Sequence, residues 1–289
     1  MKKFVITCDS STDGGYQNLN KMGINFISYP INSSNQCIYD ENNERQTKLF
    51  YESMINGENF KTSQINVYQY KYFFKNNTTK EMPLIHISLC EALSNSINNA
   101  REAKRLLLNE GYEIEIIDCR IGCLGEYMLV KEAYRLQNEG YSFENAIEQL
   151  NEYAKHINTM YTTNTLTYFA RGGRLSKASA TIGNMFHVNV VLGCNAFGKL
   201  KVLYKVIGQK KAFKTIIEGI KEKVINPEEQ TLYCSHALNE QGINEFIELI
   251  KKEIPFKDYE IHMMGPTIGT HAGPGTLALF FYGKEKTDY

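Results

Sequence analysis

No stretch of this chain reaches the roughly 18 consecutive apolar residues that a membrane-spanning helix needs, so nothing in it reads as a transmembrane segment. Its opening, MKKFVITCDSSTDGG, carries two lysines and a short apolar run. Asp9 breaks that run too early for a secretory signal, and a cytoplasmic location is expected. An excess of either charge is missing: Lys plus Arg is 32 and Asp plus Glu is 32. A long-range electrostatic hold on nucleic acid or an anionic membrane is therefore not expected. None of the seven cysteines, at 8, 37, 90, 119, 123, 194 and 234, forms a CxxC pair. Cys119 and Cys123 have no matching His or Cys pair downstream, so reduced thiols are expected rather than a metal site or a disulfide framework. GxxxxGK[ST], GxGxxG, HExxH and GxSxG are all absent, and no carboxylates are paired at a telling spacing. No catalytic residue, metal or cofactor is assigned.

What is present is an ordinary globular composition, 43% hydrophobic and 22% charged over 289 residues. That length suggests about two domains. Surface scaling buries about three quarters of the unfolded surface, enough for a core and an internal cavity. In the first half, strand-like runs alternate with helical periodicity. Strands are expected at Phe4–Cys8, Ile24–Tyr29, Pro83–Leu89 and Glu113–Asp118, and helices at Gln46–Ile55, Glu91–Asn109 and Gly122–Gln137. Asn32–Asn43 reads as a loop or hairpin. Ser142 suits an N-cap, and Phe143, Ala146, Ile147, Leu150, Ala154 and Ile157 follow at helical spacing. Strand–turn–helix repetition implies a mostly parallel sheet, with ligands at the carboxyl ends of its strands.

The second half mixes hairpin and helix signals. Strands are expected at Thr159–Thr163, Val188–Leu192, Leu200–Ile207, Thr231–Ser235, Tyr259–Met263 and Leu277–Tyr282. Helical stripes run through Ser179–Phe186, through Ala212 to Val224, and through Ile243 to Ile254. This is α+β character, and a boundary near residue 158 is expected, with no flexible linker between the two units.

Four segments carry polar chemistry. Gly265 to Gly275 has four glycines and two prolines around Thr267, Thr270 and His271. It reads as a loop, either structural or shaped to let a polar head group approach the backbone. Arg171-Gly-Gly-Arg174 suits an anion nest or a plain tight turn. Asp9-Ser10-Ser11-Thr12-Asp13 follows the first strand and suits either ligand binding or capping. Lys61-Thr62-Ser63-Gln64 precedes an apolar helix, again as a cap or a site. His86, His156, His187, His236 and His262 read as structural; His271 alone has a glycine-rich frame.

Taken together, these residues resemble the DegV family. Arg171-Gly-Gly-Arg-Leu-Ser-Lys177 resembles that family's GGRISKA signature, and Gly265-Pro-Thr-Ile-Gly-Thr-His-Ala-Gly-Pro-Gly275 with Phe281-Tyr-Gly283 resembles its GP.IGTH.GPGA…FYG ending. Asp9-Ser10-Ser11, Thr62-Ser63-Gln64 and Ile117-Asp118 followed by Gly122 and Gly125 occur in family order over almost the whole chain. The resemblance implies a two-domain α/β fold, with an N-terminal mostly parallel α/β domain (1–158) and a C-terminal α+β domain (159–289). It also implies one fatty acid held between the domains. The protein would then be the lipid-binding subunit of a fatty acid kinase system, and a separate ATP-using subunit would phosphorylate the carboxylate to an acyl phosphate. By position, Ser10, Ser11, Thr62, Ser63, Cys90, Glu91, Ser94, Thr270 and His271 would surround the head group. Arg171, Arg174 and Lys177 would lie at the mouth and meet the kinase subunit. Ile182, Met185, Phe186, Val188, Val190 and Leu192 are candidates for tunnel wall or core.

One departure stands out. The family usually has SSGLSGT after the third strand, and here the stretch is Cys90-Glu91-Ala92-Leu93-Ser94-Asn95-Ser96. A carboxylate at Glu91 beside a bound carboxylate would repel it or raise one of their pKa values. Either Glu91 points away, or the head group is neutral, or acyl binding is weak. The other readings are a divergent lipid-sensing or interaction protein and a stand-alone enzyme using Arg174 and His271.

Overall fold

The computed structural model describes residues 4–175 and 188–287. Lys177, His187, the expected helix at 179–186 and the wall candidates Ile182, Met185 and Phe186 lie outside the described residues.

The first half contains β1 (Val5–Asp9), a 3-10 turn (Ser10–Thr12), α1 (Tyr16–Lys21), β2 (Asn25–Ile27), β3 (Pro30–Asn32) and β4 (Cys37–Tyr39). It continues with α2 (Glu44–Ile55), β5 (Lys61–Thr62), α3 (Val67–Asn77), β6 (Leu84–Ser88), α4 (Ser96–Leu108), β7 (Ile114–Asp118), α5 (Leu124–Asn138) and α6 (Phe143–His156). Strands β2-β1-β6-β7 form a parallel sheet in that order. Every residue of β6 is buried, as a strand with neighbours on both edges and helices on both faces must be. A small antiparallel sheet, β4-β3-β5, stands beside it.

The second half contains β8 (Ile157–Thr163), α7 (Thr167–Arg171), β9 (Val188–Cys194), β10 (Leu200–Ile207) and α8 (Gln209–Lys223). It ends with β11 (Thr231–His236), α9 (Glu240–Ile250), β12 (Asp258–Met263), α10 (Pro266–Ala272) and β13 (Leu277–Tyr282). These strands form a six-stranded mixed sheet, β10-β9-β8-β13-β11-β12, in which only β11 and β12 pair in parallel.

The packing is layered. Helices α3 and α4 cover one face of the parallel sheet through Tyr70, Phe74, Ile97, Ala100 and Leu107. Helix α5 lies between the sheets, touching β1 and β6 on one side and β8, β11 and β13 on the other. Ten of its residues are buried, including Glu126 and all of 124–130, so its first two turns are enclosed on every side rather than along one stripe. Helices α8 and α9 cover the outer face of the mixed sheet, where Phe213 stacks on Phe246 at 4.0 Å.

Local signals explain most element starts. Ser142 accepts a hydrogen bond from the Asn145 amide and caps α6. Asn66 and Gln69 form a reciprocal capping box on α3. The cap of α3 is therefore Asn66, and the Lys61–Gln64 segment begins as edge strand β5. Helix α4 starts five residues later than its periodicity suggests, because Cys90 to Ser94 form a turn in which the Leu93 and Ser94 amides both bond to the Cys90 carbonyl.

One expectation is corrected and one pair of alternatives is decided. Gly265–Gly275 is largely helix: Gly265 and Gly269 have ordinary φ, and only Gly273 and Gly275 have positive φ. At Gly273 a Cβ would stand 2.1 Å from the Tyr168 ring, so the close passage of α7 requires glycine there. The Arg171–Arg174 segment is a helix C-terminus. The amides of Gly173, Arg174 and Leu175 bond back to the carbonyls of Ala170 and Phe169. Those donors are used, so the turn is not an anion nest.

Candidate functional site

A cavity of about 290 Å³ opens between the two halves, near the lower end of the roughly 300–1,000 Å³ of small-molecule sites. The mixed sheet supplies one wall. Thr159 and Tyr161 of β8 and Ala278 and Phe280 of β13 face it, because residues two apart share a strand face. The parallel-sheet half supplies Leu89, Leu93 and Ile121, and α7 supplies Phe169.

Polar groups gather in one part of this cavity. Thr62, Ser63, Gln64, Tyr29, Ser94, Arg174 and His271 all line it. Ser63 and Gln64 are exposed and mark its mouth. The Thr62 hydroxyl lies 2.8 Å from His271 Nε2, which joins β5 to α10 across the two halves. Arg174 donates from Nε to the Leu93 carbonyl at 2.9 Å and from a terminal nitrogen to the Gly172 carbonyl at 2.5 Å. It is the one charged side chain among the described lining residues. Burial, and then the Arg174 charge, push His271 down to about 3, so its imidazole is neutral at physiological pH. The ring packs on Gly172, where a Cβ would stand 2.0 Å from His271 Nδ1. The glycine pair of the arginine segment thus seats the histidine of the glycine-rich segment.

Several expected head-group residues do not line this cavity. Ser10 is buried and accepts the Tyr29 amide at 3.0 Å, while Ser11 donates to Glu126 Oε2 at 2.7 Å. Both serve the packing of β1 against its neighbours. Thr270 donates to the Pro266 carbonyl of its own helix at 2.8 Å. Cys90 is buried against the β9–β10 turn, its thiol donating to the Phe197 carbonyl at 3.2 Å. Glu91 sits on the surface, paired at 2.8 Å with Arg101, whose hydrogen bond lowers its pKa. Its charge is answered there, so the feared repulsion does not arise. Arg171 is exposed, bonded to Asn59 and lying over the Tyr168 ring. Arg174, expected at a docking surface, is instead part of the cavity wall.

Other wall residues were not expected. Tyr29 donates to Ser94 and Asp9, and Thr267 donates to Asp40 at 2.5 Å. Tyr161, Cys194 and Phe280 come from strands whose register no local pattern reveals, although the alternation of β8 marks Thr159 and Tyr161 as sharing a face. Among the described residues there is no cluster suited to a metal ion. None of the described helices is long and apolar enough to cross a membrane.

The model of the DegV family, a family of uncharacterised proteins, matches residues 3–284. This chain belongs to the DegV family. A DegV domain-containing protein of Clostridium perfringens is 30% identical over 289 residues, covering 99% of each chain. The structure of a DegV lipid-binding protein from Thermotoga maritima superposes with a TM-score of 0.86 at 25% identity, covering 99% of this chain and all 100% of that one. DegV of Bacillus subtilis, a fatty acid binding protein, shares the fold with a TM-score of 0.83 at 23% identity, over 98% of this chain and 100% of its own. The two DegV motifs that meet here, the GGR turn and the GTH helix, are the ones joined by the Gly172–His271 contact.

Proposed function

We propose that this protein binds one long-chain fatty acid between an N-terminal domain (1–158) and a C-terminal domain (159–289), and presents the carboxylate to a separate ATP-dependent fatty acid kinase subunit. The observation that carries the reading is the polarity of the cavity. One cation and a threonine–histidine pair lie near its mouth, and the rest is chiefly apolar wall.

The chemistry follows from the neutral imidazole. With its proton on Nε2, His271 donates to Thr62 Oγ1, and the Thr62 hydroxyl is then free to donate to a carboxylate. His271 Nδ1 has no partner, which suits the unprotonated nitrogen of that tautomer. Arg174 supplies the balancing charge. Among the described residues no carboxylate bonds to His271, and a general base of the triad kind needs one. Burying each CH₂ contributes about 0.8 kcal/mol, so a sixteen-carbon tail offers on the order of 10 kcal/mol before association costs. Each head-group hydrogen bond adds only about 1 kcal/mol. The tail sets affinity, and Thr62, His271 and Arg174 set which end faces out.

Arg171 and Lys177 are proposed to meet the kinase subunit, in a cytoplasmic setting where ATP is available. The deciding experiment is native mass spectrometry of freshly purified protein, followed by lipid extraction and incubation with ATP and a fatty acid kinase subunit. One fatty-acid mass bound, and its conversion to acyl phosphate only with the partner, supports the reading. No adduct together with no uptake of added octadecanoate overturns it. Arg171→Glu is expected to slow conversion and leave lipid uptake unchanged.

A further inference from the structure

Six tyrosines are buried among the described residues: Tyr29, Tyr51, Tyr70, Tyr127, Tyr161 and Tyr233. Three of them donate from the hydroxyl to a named partner. Tyr29 donates to Ser94 at 3.3 Å, Tyr51 to the Met264 carbonyl at 2.9 Å and Tyr70 to Asp9 at 2.8 Å. Tyr161 stands apart: among these it is the one whose hydroxyl is both closed off from solvent and without a hydrogen-bond partner.

Tyr161 is 6% exposed and lines the cavity. Its ring lies 5.8 Å from that of Phe169, and it faces Ala278 of β13 and Leu192 of β9 across the sheet. A phenylalanine would fill nearly the same volume without an orphaned hydroxyl, which a protein interior tolerates poorly. Cys194 lies two residues beyond Leu192 on the same face of β9 and also lines the cavity. Burial pushes its thiol up to about 11, so it stays a neutral, weak donor. Two donors therefore stand on the wall away from the Thr62–His271 pair.

We propose that Tyr161, with Cys194 beside it, forms a second polar subsite that takes an oxygen function carried along the acyl chain, so that the preferred ligand class is a hydroxy or oxo long-chain fatty acid. This rests on the fatty-acid reading above and narrows it. Tyr161 is a specificity-determining residue: an unsubstituted chain leaves its hydroxyl unpaired, and an oxygen at the right depth pairs it. A site built to pair a substrate oxygen discriminates against the analogue that lacks it.

The test is displacement of a fluorescent fatty acid from the full-length protein by octadecanoate, 10-hydroxyoctadecanoate, 12-hydroxyoctadecanoate and 10-oxooctadecanoate. In the native protein, at least one oxygenated acid is expected to compete about tenfold better than octadecanoate. In Tyr161→Phe that ratio is expected to fall to about one. The melting temperature of ligand-free Tyr161→Phe is expected to match or exceed that of the native protein, because an unpaired group has been removed. Equal affinity for all four acids, or a ratio that Tyr161→Phe leaves unchanged, overturns the subsite. So does a melting temperature several degrees lower, since that reveals an internal partner for the hydroxyl. If none of the four acids displaces the probe, the fatty-acid reading fails, and the subsite with it.

Discussion

Two polar clusters stand at the carboxyl ends of strands in this protein, and they behave differently. Under β1, the Asp9 carboxylate accepts from Tyr70 at 2.8 Å, Ser88 at 2.8 Å, the Leu89 amide at 2.9 Å, His86 at 3.2 Å and Tyr29 at 3.4 Å. Asp9, Ser88 and His86 are all fully buried. At the cavity mouth, Thr62, Ser63 and Arg174 keep donor capacity in hand, and His271 keeps an unpaired Nδ1. Both clusters look alike in sequence, as hydroxyls and charges beside glycine. A cluster whose groups satisfy one another joins elements together, whereas one with capacity left over faces a ligand.

If that division holds, the largest effect belongs to Asp9. Asp9→Ala orphans five donors, and urea unfolding is expected to show a loss of about 4 kcal/mol. A loss under about 1 kcal/mol would mean that the β1 cluster does not hold the sheet. The mouth is expected to show the reverse pattern. His271→Ala removes the group that orients Thr62, and acyl affinity measured by titration should fall about tenfold. Its unfolding free energy should change by far less than in Asp9→Ala. Gly172→Ala drives a methyl into the His271 ring and is expected to mimic the affinity loss; unchanged binding would show that the ring position is immaterial.

The pH dependence sharpens the same contrast. His271 titrates near 3 when folded and near 6.5 when unfolded. The unfolded chain therefore binds the extra proton first as pH falls. The stabilising contribution of the neutral ring is complete above about pH 6.5 and is lost progressively toward pH 3. Unfolding free energies measured from pH 4 to 7 should fall less steeply with acid in His271→Asn than in the native protein. Identical slopes would remove His271 from the account. The smallest effect is expected at Glu91. Its ion pair with Arg101 is half exposed, so Glu91→Ser should change stability by less than about 0.5 kcal/mol and leave acyl affinity alone. Stronger acyl binding in that variant would revive the repulsion that its surface position argues against.

Much of this was legible along the chain. The parallel first half followed from alternating strand and helix periods, and the cap of α6 from Ser142. Thr62, Ser63, Ser94 and His271 were named from motif positions and line the cavity, and Arg174, expected at a docking surface, lines it too. The expected residues that do not line it have one thing in common. Ser10, Ser11, Thr270, Cys90 and Glu91 lie near strand or helix ends where side chains can turn either way, and neighbours distant in sequence chose the direction. Ser11 turns toward Glu126, 115 positions away. Thr270 turns back onto its own helix. The glycine-rich segment before β13 is a helix because Tyr51, Asp40 and Tyr168 pack against it and bond its ends, and tertiary contacts of that kind override low helix propensity.

Periodicity and turn chemistry act over a few residues, so the main strands and helices, the change from a parallel to a mixed sheet and the motifs of the family were readable along the chain. Only the tertiary structure decided that Gly172 seats His271, that Arg174 faces inward while Glu91 faces out, and that Tyr161 alone of the buried tyrosines has a hydroxyl both closed off from solvent and without a partner. Those facts depend on which surfaces meet across two sheets, and burial and hydrogen bonding between distant segments are set only when the layers close.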